Sequence, residues 1–174
     1  MTSEELYLIN FGNELVGFAS YNHFKYIGHK ISYLHGIVVD PSFQKNGIFK
    51  SVNERVIENN KTDFLAMRTQ SPVIYHALKN ISRKIYPGYD RSTDFVKNLG
   101  EYIARNKLNM GEYDRDSFVT KNAYGKSLYD SLPVYGDDEN FLRDELKLDF
   151  SKGDSVLLIS ETKNYESSSD MMRK

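Results

Sequence analysis

Apolar and polar residues first follow a strand-like pattern and then change to a helical spacing. Leu6 to Asn10, Leu15 to Phe24 and Ile31 to Val39 are rich in β-branched and aromatic residues, which is typical of β-strands. Turn signals around Gly12 and Gly28 separate the three segments. The sequence therefore predicts an antiparallel meander of three strands.

A short loop and a helix follow the third strand. Asp40-Pro41-Ser42 is a turn signal. From Gly47 onward, apolar residues recur at three-to-four spacing, as on one face of a helix: Ile48, Phe49, Val52, Val56 and Ile57. We expect this helix to extend from Gly47 to Asn60.

The next segments predict a parallel strand and a second helix. Phe64 to Met67 is a short apolar strand candidate. A strand–helix–strand order implies a parallel neighbour and a right-handed crossover. Ser71 and Pro72 are typical of the cap and first position of a helix, which would extend to about Asn80.

The second half of the chain is less regular. We expect a helix capped by residues 92–94, a short strand around Ser117 to Thr120, a helix from Asp137 to Leu148 and a strand from Ser155 to Glu161. Residues 163–174 are polar and rich in serine, which predicts a disordered tail. The predicted fold class is α/β, a mixed, mostly antiparallel sheet flanked by helices.

Composition narrows the class of protein. The chain has 174 residues, of which 40% are hydrophobic, so we expect one domain over residues 1–162. Its 23 basic and 24 acidic residues nearly cancel, which makes nucleic acid an unfavoured electrostatic partner. No apolar run reaches the length of a membrane span and no secretory signal is visible. We therefore expect a cytoplasmic protein that does not bind membranes.

Metal and thiol chemistry are also constrained. The chain has no cysteine, which excludes disulfides, Cys-ligated zinc and a thiol nucleophile. The four histidines show no paired metal-ligand spacing, and we expect no metal site. The sequence leaves the oligomeric state open.

The loop before the first helix has the features of an anion-binding site. A helix start presents unpaired backbone N–H groups and a partial positive charge, and Gly47 has no Cβ to keep an anion away. Lys45 and Lys50 add positive charge. The Walker and Rossmann glycine patterns are both absent. The sequence predicts a phosphate or pyrophosphate site here, and the alternative is an ordinary strand–turn–helix connection.

A short motif in this loop resembles a known family. Gln44-x-x-Gly47-x-Phe49, directly after a strand and a turn, is similar to the Gln/Arg-x-x-Gly-x-Gly/Ala signature of the GNAT N-acetyltransferase superfamily. The order of elements over about residues 6–80 also matches the core of that family. Two features depart from it. Phe49 replaces the usual Gly or Ala, and the elements that normally precede the first hairpin are either missing or replaced by the C-terminal half.

The resemblance implies a GNAT-like fold that takes acetyl-CoA as co-substrate. The pyrophosphate would be held by six loop and helix residues: Gln44, Lys45, Asn46, Gly47, Ile48 and Phe49. The backbone of Ile37 and Val39 would contact the pantetheine and acetyl groups, and Gly36 suits the β-bulge that the family has there. The side chains of Ile37 and Val39 are compatible with a place in the core, because the family uses their backbone.

Three residues are candidates for catalysis. GNAT proteins often have a glutamate where this chain has Tyr33, and no carboxylate lies between Ile31 and Val39. His35 is the nearest side chain of a type that exchanges protons near neutral pH, and Tyr33 could order a water. Tyr75 matches a tyrosine that donates to the CoA sulfur in GNAT proteins. A structural role is the alternative for each, because the chain has 13 tyrosines and histidines often pack in cores.

These features predict an acetyl-CoA-dependent N-acetyltransferase, an acyltransferase in which an amine attacks the thioester directly. The acceptor is an amine-bearing small molecule or protein that the sequence does not identify. The alternative is a non-catalytic GNAT-like module that binds acyl-CoA or mediates an interaction. The missing carboxylate base favours that alternative.

Overall fold

A computed structural model describes residues 5–131 and 135–165 of the protein. Its strands are β1 (Glu5–Phe11), β2 (Glu14–Tyr26), β3 (His29–Val39), β4 (Phe64–Thr69), β5 (Lys84–Tyr86), β6 (Val119–Thr120) and β7 (Ser155–Glu161). Its α-helices are α1 (Ile48–Asn60), α2 (Pro72–Ile81), α3 (Asp94–Tyr102) and α4 (Gly136–Asn140).

The seven strands form one sheet in the order β1-β2-β3-β4-β7-β5, with β6 paired to β7. The pairs β1–β2, β2–β3 and β6–β7 are antiparallel. The predicted α/β fold with a mixed, mostly antiparallel sheet is confirmed. The three-strand meander and the first two helices lie where the apolar pattern placed them.

The described residues form two compact units. Residues 5–66, 81–84 and 160–165 form the first, which we call the meander unit. Residues 67–80, 85–131 and 135–159 form the second. The single domain over residues 1–162 stays a prediction.

The core of the meander unit lies between helix α1 and one face of its strands. Val16, Ala19 and Tyr21 of β2 are buried, as are Val56 and Ile57 of α1. These helix positions are those that the three-to-four apolar spacing assigns to the core. The face of β1–β3 that packs against α1 is called the helix face below, and the opposite face is called the far face.

Strands β2 and β3 approach each other closely at Gly17. A Cβ added to Gly17 would lie 2.3 Å from the carbonyl oxygen of Val38 and 3.2 Å from the Cα of Val39. These are backbone atoms, which cannot move aside as a flexible side chain can. Glycine at this position therefore fixes the spacing at the end of β3, just before the loop.

A β-bulge divides β3 at His35. Ser20 pairs with Gly36 and Tyr21 pairs with Leu34, so His35 is the extra residue of the bulge in the β2–β3 register. The bulge lies directly beside Gly36, where the sequence predicted it. Because a bulge shifts the alternation of side chains by one residue, Ile37 and Val39 lie on the helix face while Tyr33 lies on the far face.

The second unit contains most of the differences from the sequence expectations. The predicted strand at 117–120 shrinks to Val119–Thr120 because Phe118 has a φ of 62°, which an extended strand does not accommodate. The predicted helix from Asp137 to Leu148 is α4 followed by one π-helical turn at Phe141–Glu145. Strand β5 was not predicted, because the Tyr86-Pro87-Gly88 sequence indicates a break.

Residues 163–165, at the start of the predicted tail, make contacts with the meander unit. Tyr165 packs on Phe64, with ring centroids 4.6 Å apart, and the side-chain amide of Asn164 donates to the carbonyl of Ile57 at 3.2 Å. These contacts hold residues 163–165 on the meander unit. Residues 166–174, the rest of that prediction, lie outside the described residues.

Candidate functional site

The loop between β3 and α1 begins with a short 3-10 helix, Pro41–Phe43. The Asp40 carboxylate caps it by accepting from the N–H of Ser42 at 2.8 Å and from the Ser42 hydroxyl. These bonds, from the hydroxyl and then from the backbone, lower the pKa of Asp40. The loop therefore leaves β3 in a fixed direction.

Two residues of the loop adopt left-handed backbone conformations. Lys45 has a φ of 67° and Gly47 has a φ of 73°. No heavy atom lies within 4 Å of where a Cβ of Gly47 would be, so the space beside it is open. A left-handed residue followed by a right-handed helical one aligns successive N–H groups into a concave anion-binding nest. Gly47 and Ile48 have this arrangement.

Six consecutive backbone N–H groups at this point have no acceptor among the residues that the structure describes. They belong to Lys45, Asn46, Gly47, Ile48, Phe49 and Lys50, and the first internal helix bond runs from the N–H of Ser51 to the carbonyl of Gly47. Helix α1 has no side-chain cap and no acidic residue in its first turn. Most helix starts are capped by a side-chain oxygen, so this one is free to bind an anion.

The side chains of two predicted binding residues brace the loop instead of extending from it. The Gln44 amide donates to the carbonyl of Val39 at 3.0 Å, and the Asn46 amide donates to the carbonyl of Phe43 at 3.2 Å. The loop thus offers backbone groups to an anion, together with two exposed lysines, Lys45 and Lys50. Lys50 also lies 4.0 Å from the carboxylate of Glu54.

Asn53 supports this loop and was missed by the sequence reasoning. Its side chain is fully buried, accepts from the Tyr21 hydroxyl at 2.9 Å and donates to the carbonyl of Phe49 at 2.7 Å. It therefore ties the first turn of α1 to strand β2. A signal was present, because Asn53 is a polar residue within the apolar stripe of the helix, four residues after Phe49 and three before Val56.

The predicted residues on β3 lie close to the bulge. His35 is exposed, and its ring meets the ring of Tyr33 edge-on with centroids 4.9 Å apart. Tyr33 is buried. The structure therefore brings the two predicted catalytic residues of β3 together, next to the strand end that carries Ile37 and Val39.

Tyr75 lies on α2, in the second unit. Only 1% of it is exposed, and its hydroxyl donates to the carbonyl of Pro87 at 3.2 Å. Burial, followed by the charges of Asp138 and Tyr89, raises the pKa of Tyr75. Its role as proton donor to a thiolate stays a prediction, and the structure shows a different use of the hydroxyl.

The meander and its loop are similar to a known protein family. Residues 1–59, about a third of the chain, match the model of the acetyltransferase (GNAT) family. The resemblance to GNAT is confirmed. The GNAT match includes the whole meander, the bulge, the loop and all of α1 except its last residue. It therefore covers the segment in which the unpaired N–H groups lie.

Comparison with solved structures gives distant likenesses. A NatC complex bound to Gag peptide and CoA aligns with 11% identity and a TM-score of 0.46, over 91% of this chain and 71% of that one. A GNAT family acetyltransferase from Elizabethkingia anophelis with acetyl-CoA bound aligns with 18% identity and a TM-score of 0.41, over 90% of this chain and 74% of that one. The ribosomal-protein-S18-alanine N-acetyltransferase from Escherichia coli aligns with 11% identity and a TM-score of 0.43, over 94% of this chain and 71% of that one. No curated protein matches the sequence.

Within residues 5–131 and 135–165, no three His, Asp or Glu side chains are grouped so that they could hold a metal ion. In the same part of the chain, every helix is too short or too polar to cross a membrane.

Proposed function

We propose that the protein is an acetyl-CoA-dependent N-acetyltransferase of cytoplasmic location. The observation that carries the proposal is the run of six unpaired backbone N–H groups from Lys45 to Lys50. The run coincides with the Gln44-x-x-Gly47 motif, within the segment that matches the GNAT family. Backbone donors at a helix start suit a pyrophosphate, whose charge is delocalised over several oxygens.

Each part of the meander unit has a task in this proposal. The loop binds the pyrophosphate of acetyl-CoA through its backbone, and Lys45 and Lys50 neutralise part of the phosphate charge. The bulge at His35 interrupts the β2–β3 ladder beside Ile37, whose backbone orients the acetyl end of the substrate. Gly17 keeps the end of β3 close to β2, so the strand end and the loop hold a fixed geometry.

The reaction is a direct transfer. The amine nitrogen of the acceptor bonds to the thioester carbonyl carbon, the carbon–sulfur bond then breaks, and CoA leaves with the electron pair on sulfur. The nitrogen loses one proton, which the imidazole of His35 accepts, because His35 is exposed beside the bulge and β3 carries no carboxylate between Ile31 and Val39. The acceptor is an amine-bearing small molecule or protein.

A second candidate function is acyl-CoA binding without transfer. It is favoured by the buried hydrogen bond from the Tyr75 hydroxyl to Pro87, which leaves that phenol committed to the protein. In this case the loop would bind the same ligand, and no CoA would be released in the presence of amines.

Thermal unfolding with and without millimolar acetyl-CoA tests the binding step, with CoA and ATP as controls. A ligand that binds only the folded protein adds about 2.7 kcal/mol of stability at a hundredfold excess over its Kd. We expect acetyl-CoA and CoA, but not ATP, to raise the midpoint temperature of thermal unfolding. Release of CoA thiol with a panel of amines then separates transfer from binding.

Gly47→Glu is the decisive variant, because it places a negative charge and a side chain in the nest. Gly28→Glu is its matched control, since Gly28 also has a positive φ, of 84°, and open space around it, but lies in the β2–β3 turn. We expect Gly47→Glu to abolish the shift with acetyl-CoA and Gly28→Glu to keep it. Equal shifts in the two variants would show that the loop does not bind the cofactor.

A further inference from the structure

Three side chains of the meander unit form a continuous hydrogen-bonded chain of a carboxylate, an imidazole and a hydroxyl. The Nε2 atom of His23 lies 2.7 Å from a carboxylate oxygen of Glu5, and its Nδ1 atom lies 2.9 Å from the Oγ atom of Ser32. The three residues belong to the adjacent strands β1, β2 and β3, and His23 and Ser32 are direct cross-strand neighbours. A hydroxyl within reach of a base that a third group orients is the arrangement used in nucleophilic catalysis.

The chemistry of these groups determines the direction of the hydrogen bonds. An ionised carboxylate only accepts, so the Nε2–H group of His23 donates to Glu5. In an imidazole with one proton, the Nδ1 atom is then an acceptor, and the Ser32 hydroxyl donates to it. The Thr62 hydroxyl, with its Oγ1 atom 2.6 Å from the Oγ atom of Ser32, is left as the donor to Ser32. The Ser32 proton therefore points at the base that would remove it.

The Ser32 hydroxyl belongs to a small cavity at the carboxyl end of α1. Ser32 and Thr62 are each only 1% exposed, and with His23 and Asn60 they line a cavity of about 250 Å³. Pockets for drug-sized ligands usually measure about 300–1,000 Å³, so this cavity suits a smaller molecule. Asn60 ends α1, about 18 Å along the helix axis from Ile48. The cavity is therefore separate from the loop that we propose for acetyl-CoA.

Two lysines border this cavity. Lys25 and Lys30 are direct cross-strand neighbours, two residues along their strands from His23 and Ser32, and both line the cavity. Both are exposed, and neither side chain forms an ion pair with another residue in the part of the chain that the structure describes. Like charges directly opposite each other destabilise a sheet, and a bound anion would offset their repulsion. The pair therefore favours a ligand with a negative charge.

We propose that Ser32 is the nucleophile of a second activity, the hydrolysis of small anionic carboxylic esters, with His23 as the base and Glu5 as the residue that orients the imidazole. Lys25 and Lys30 bind the negative charge of the ester. The buried position of Ser32 limits the acyl group to a short one, such as acetyl. The activity needs no acetyl-CoA and is independent of the acetyltransferase proposal.

The reaction has two balanced steps. The Oγ atom of Ser32 bonds to the ester carbonyl carbon while its proton passes to the Nδ1 atom of His23, and the alcohol then leaves with that proton as the carbon–oxygen bond breaks. Water next attacks the acyl-serine and gives a proton to His23, which returns it to the departing Oγ atom. The products are one carboxylic acid and one alcohol. Glu5 stabilises the imidazolium that forms in each step.

Hydrolysis of 4-acetoxybenzoate without acetyl-CoA, followed by the absorbance of 4-hydroxybenzoate, tests the activity. Ser160→Ala is the matched control for Ser32→Ala, since Ser160 is also 1% exposed and its hydroxyl donates to the carbonyl of Leu65 at 3.3 Å. We expect Ser32→Ala to lower kcat/KM at least ~100-fold and Ser160→Ala to keep it within about twofold. Equal rates in the original protein and in Ser32→Ala would overturn the proposal.

An alkyl fluorophosphonate marks the nucleophile without turnover, and decides the question even if Ser32→Ala does not fold. Peptide mass spectrometry should locate one phosphonyl group on Ser32. We expect His23→Gln to slow this labelling at least ~10-fold, because it removes the base. His29→Gln is the control, since His29 also lies near a carboxylate, that of Asp63 at 3.6 Å, and circular dichroism confirms that both variants are folded. Labelling of another residue, or no labelling of the folded protein, contradicts the assignment.

Glu5→Gln separates orientation of the imidazole from a purely structural bond. We expect kcat for 4-acetoxybenzoate to fall at least ~10-fold with KM unchanged, because the amide no longer holds His23 in the productive tautomer. A loss of stability in urea with kcat unchanged would show that Glu5 only ties β1 to β2, and would overturn its assigned role.

The class of ester is tested with 4-acetoxybenzamide, a neutral analogue of the same shape. We expect kcat/KM to be at least ~10-fold higher for the anionic ester, because the two lysines attract its carboxylate. The double variant Lys25→Gln/Lys30→Gln should reduce this ratio to about one while hydrolysis of the neutral ester continues. Equal kcat/KM for the two esters in the original protein would overturn the anionic substrate class.

Discussion

The hydroxyl of Tyr75 has two alternative roles, as a proton donor to the leaving thiolate or as a structural hydrogen-bond donor. The side chain is buried, and its hydroxyl donates to the carbonyl of Pro87 within the second unit. A phenol that protonates a thiolate must be accessible to the leaving sulfur. A phenol that is committed to a backbone carbonyl stabilises the fold, and the two roles have different consequences on mutation.

We expect Tyr75→Phe to lower the free energy of unfolding by about 1–2 kcal/mol, because it leaves the carbonyl of Pro87 without this donor. The value of kcat per folded molecule should stay within about twofold of the original. Urea unfolding and steady-state kinetics measure the two quantities. A fall in kcat of about 100-fold at unchanged stability would instead establish Tyr75 as the proton donor.

The loop and helix α1 act as one element, because Asn53 joins them to the sheet. Asn53 holds the carbonyl of Phe49, which belongs to the first turn of α1, and accepts from Tyr21 on β2. The unpaired N–H groups of the loop are therefore positioned by a buried polar contact as well as by the backbone. Movement of this contact would move the anion-binding site.

We expect Asn53→Ala to lower the free energy of unfolding by about 2–3 kcal/mol, since it removes both bonds in a buried site. The affinity for acetyl-CoA should fall with it. Asn60→Ala is the matched control. Asn60 makes the same kind of bond four residues back, to the carbonyl of Val56 at 3.2 Å, but at the far end of α1. Calorimetric titration with acetyl-CoA should show an unchanged Kd in the control, and an equal loss in both variants would contradict the argument.

The sequence predicted the meander unit well, because its apolar pattern changes period where the structure changes. The residues around Gly36 and Gly47 also indicated the bulge and the loop. The contributions of Gly17 and Asn53 were not predictable in this way. The first depends on a backbone approach between two strands, which leaves no local pattern. The second depends on a contact over 32 residues of chain, and the polar position in the helix stripe does not identify that partner.

The second unit was harder to predict for a physical reason. Its short elements, such as the two-residue strand β6 and the five-residue helix α4, are below the length at which periodicity distinguishes helix from strand. Phe118 interrupts a segment of strand-forming residues with a left-handed conformation that its side chain does not favour. Such conformations are imposed by the surrounding structure and leave no pattern in the sequence.

At the scale of the whole molecule, the charge balance determines what the protein attracts over long distances. With a formal net charge of −1, the chain lacks the excess of positive charge that concentrates nucleic acids. We expect no binding to a short DNA duplex or RNA hairpin by fluorescence anisotropy at about 50 mM salt, where electrostatic binding is strongest. Binding that weakens steeply with added salt would contradict this and indicate a local basic patch.

The bulge at His35 shifts the alternation of side chains between the two faces of β3 by one residue. Before it, odd-numbered residues such as Tyr33 occupy the far face, and after it the even-numbered Gly36 and Val38 do so. Loss of that single residue would exchange the faces of every position up to Val39 and rotate the start of the loop with them. Any relative aligned to this chain through β3 must therefore keep a place for the extra residue, because a gap there reassigns each side chain beyond it.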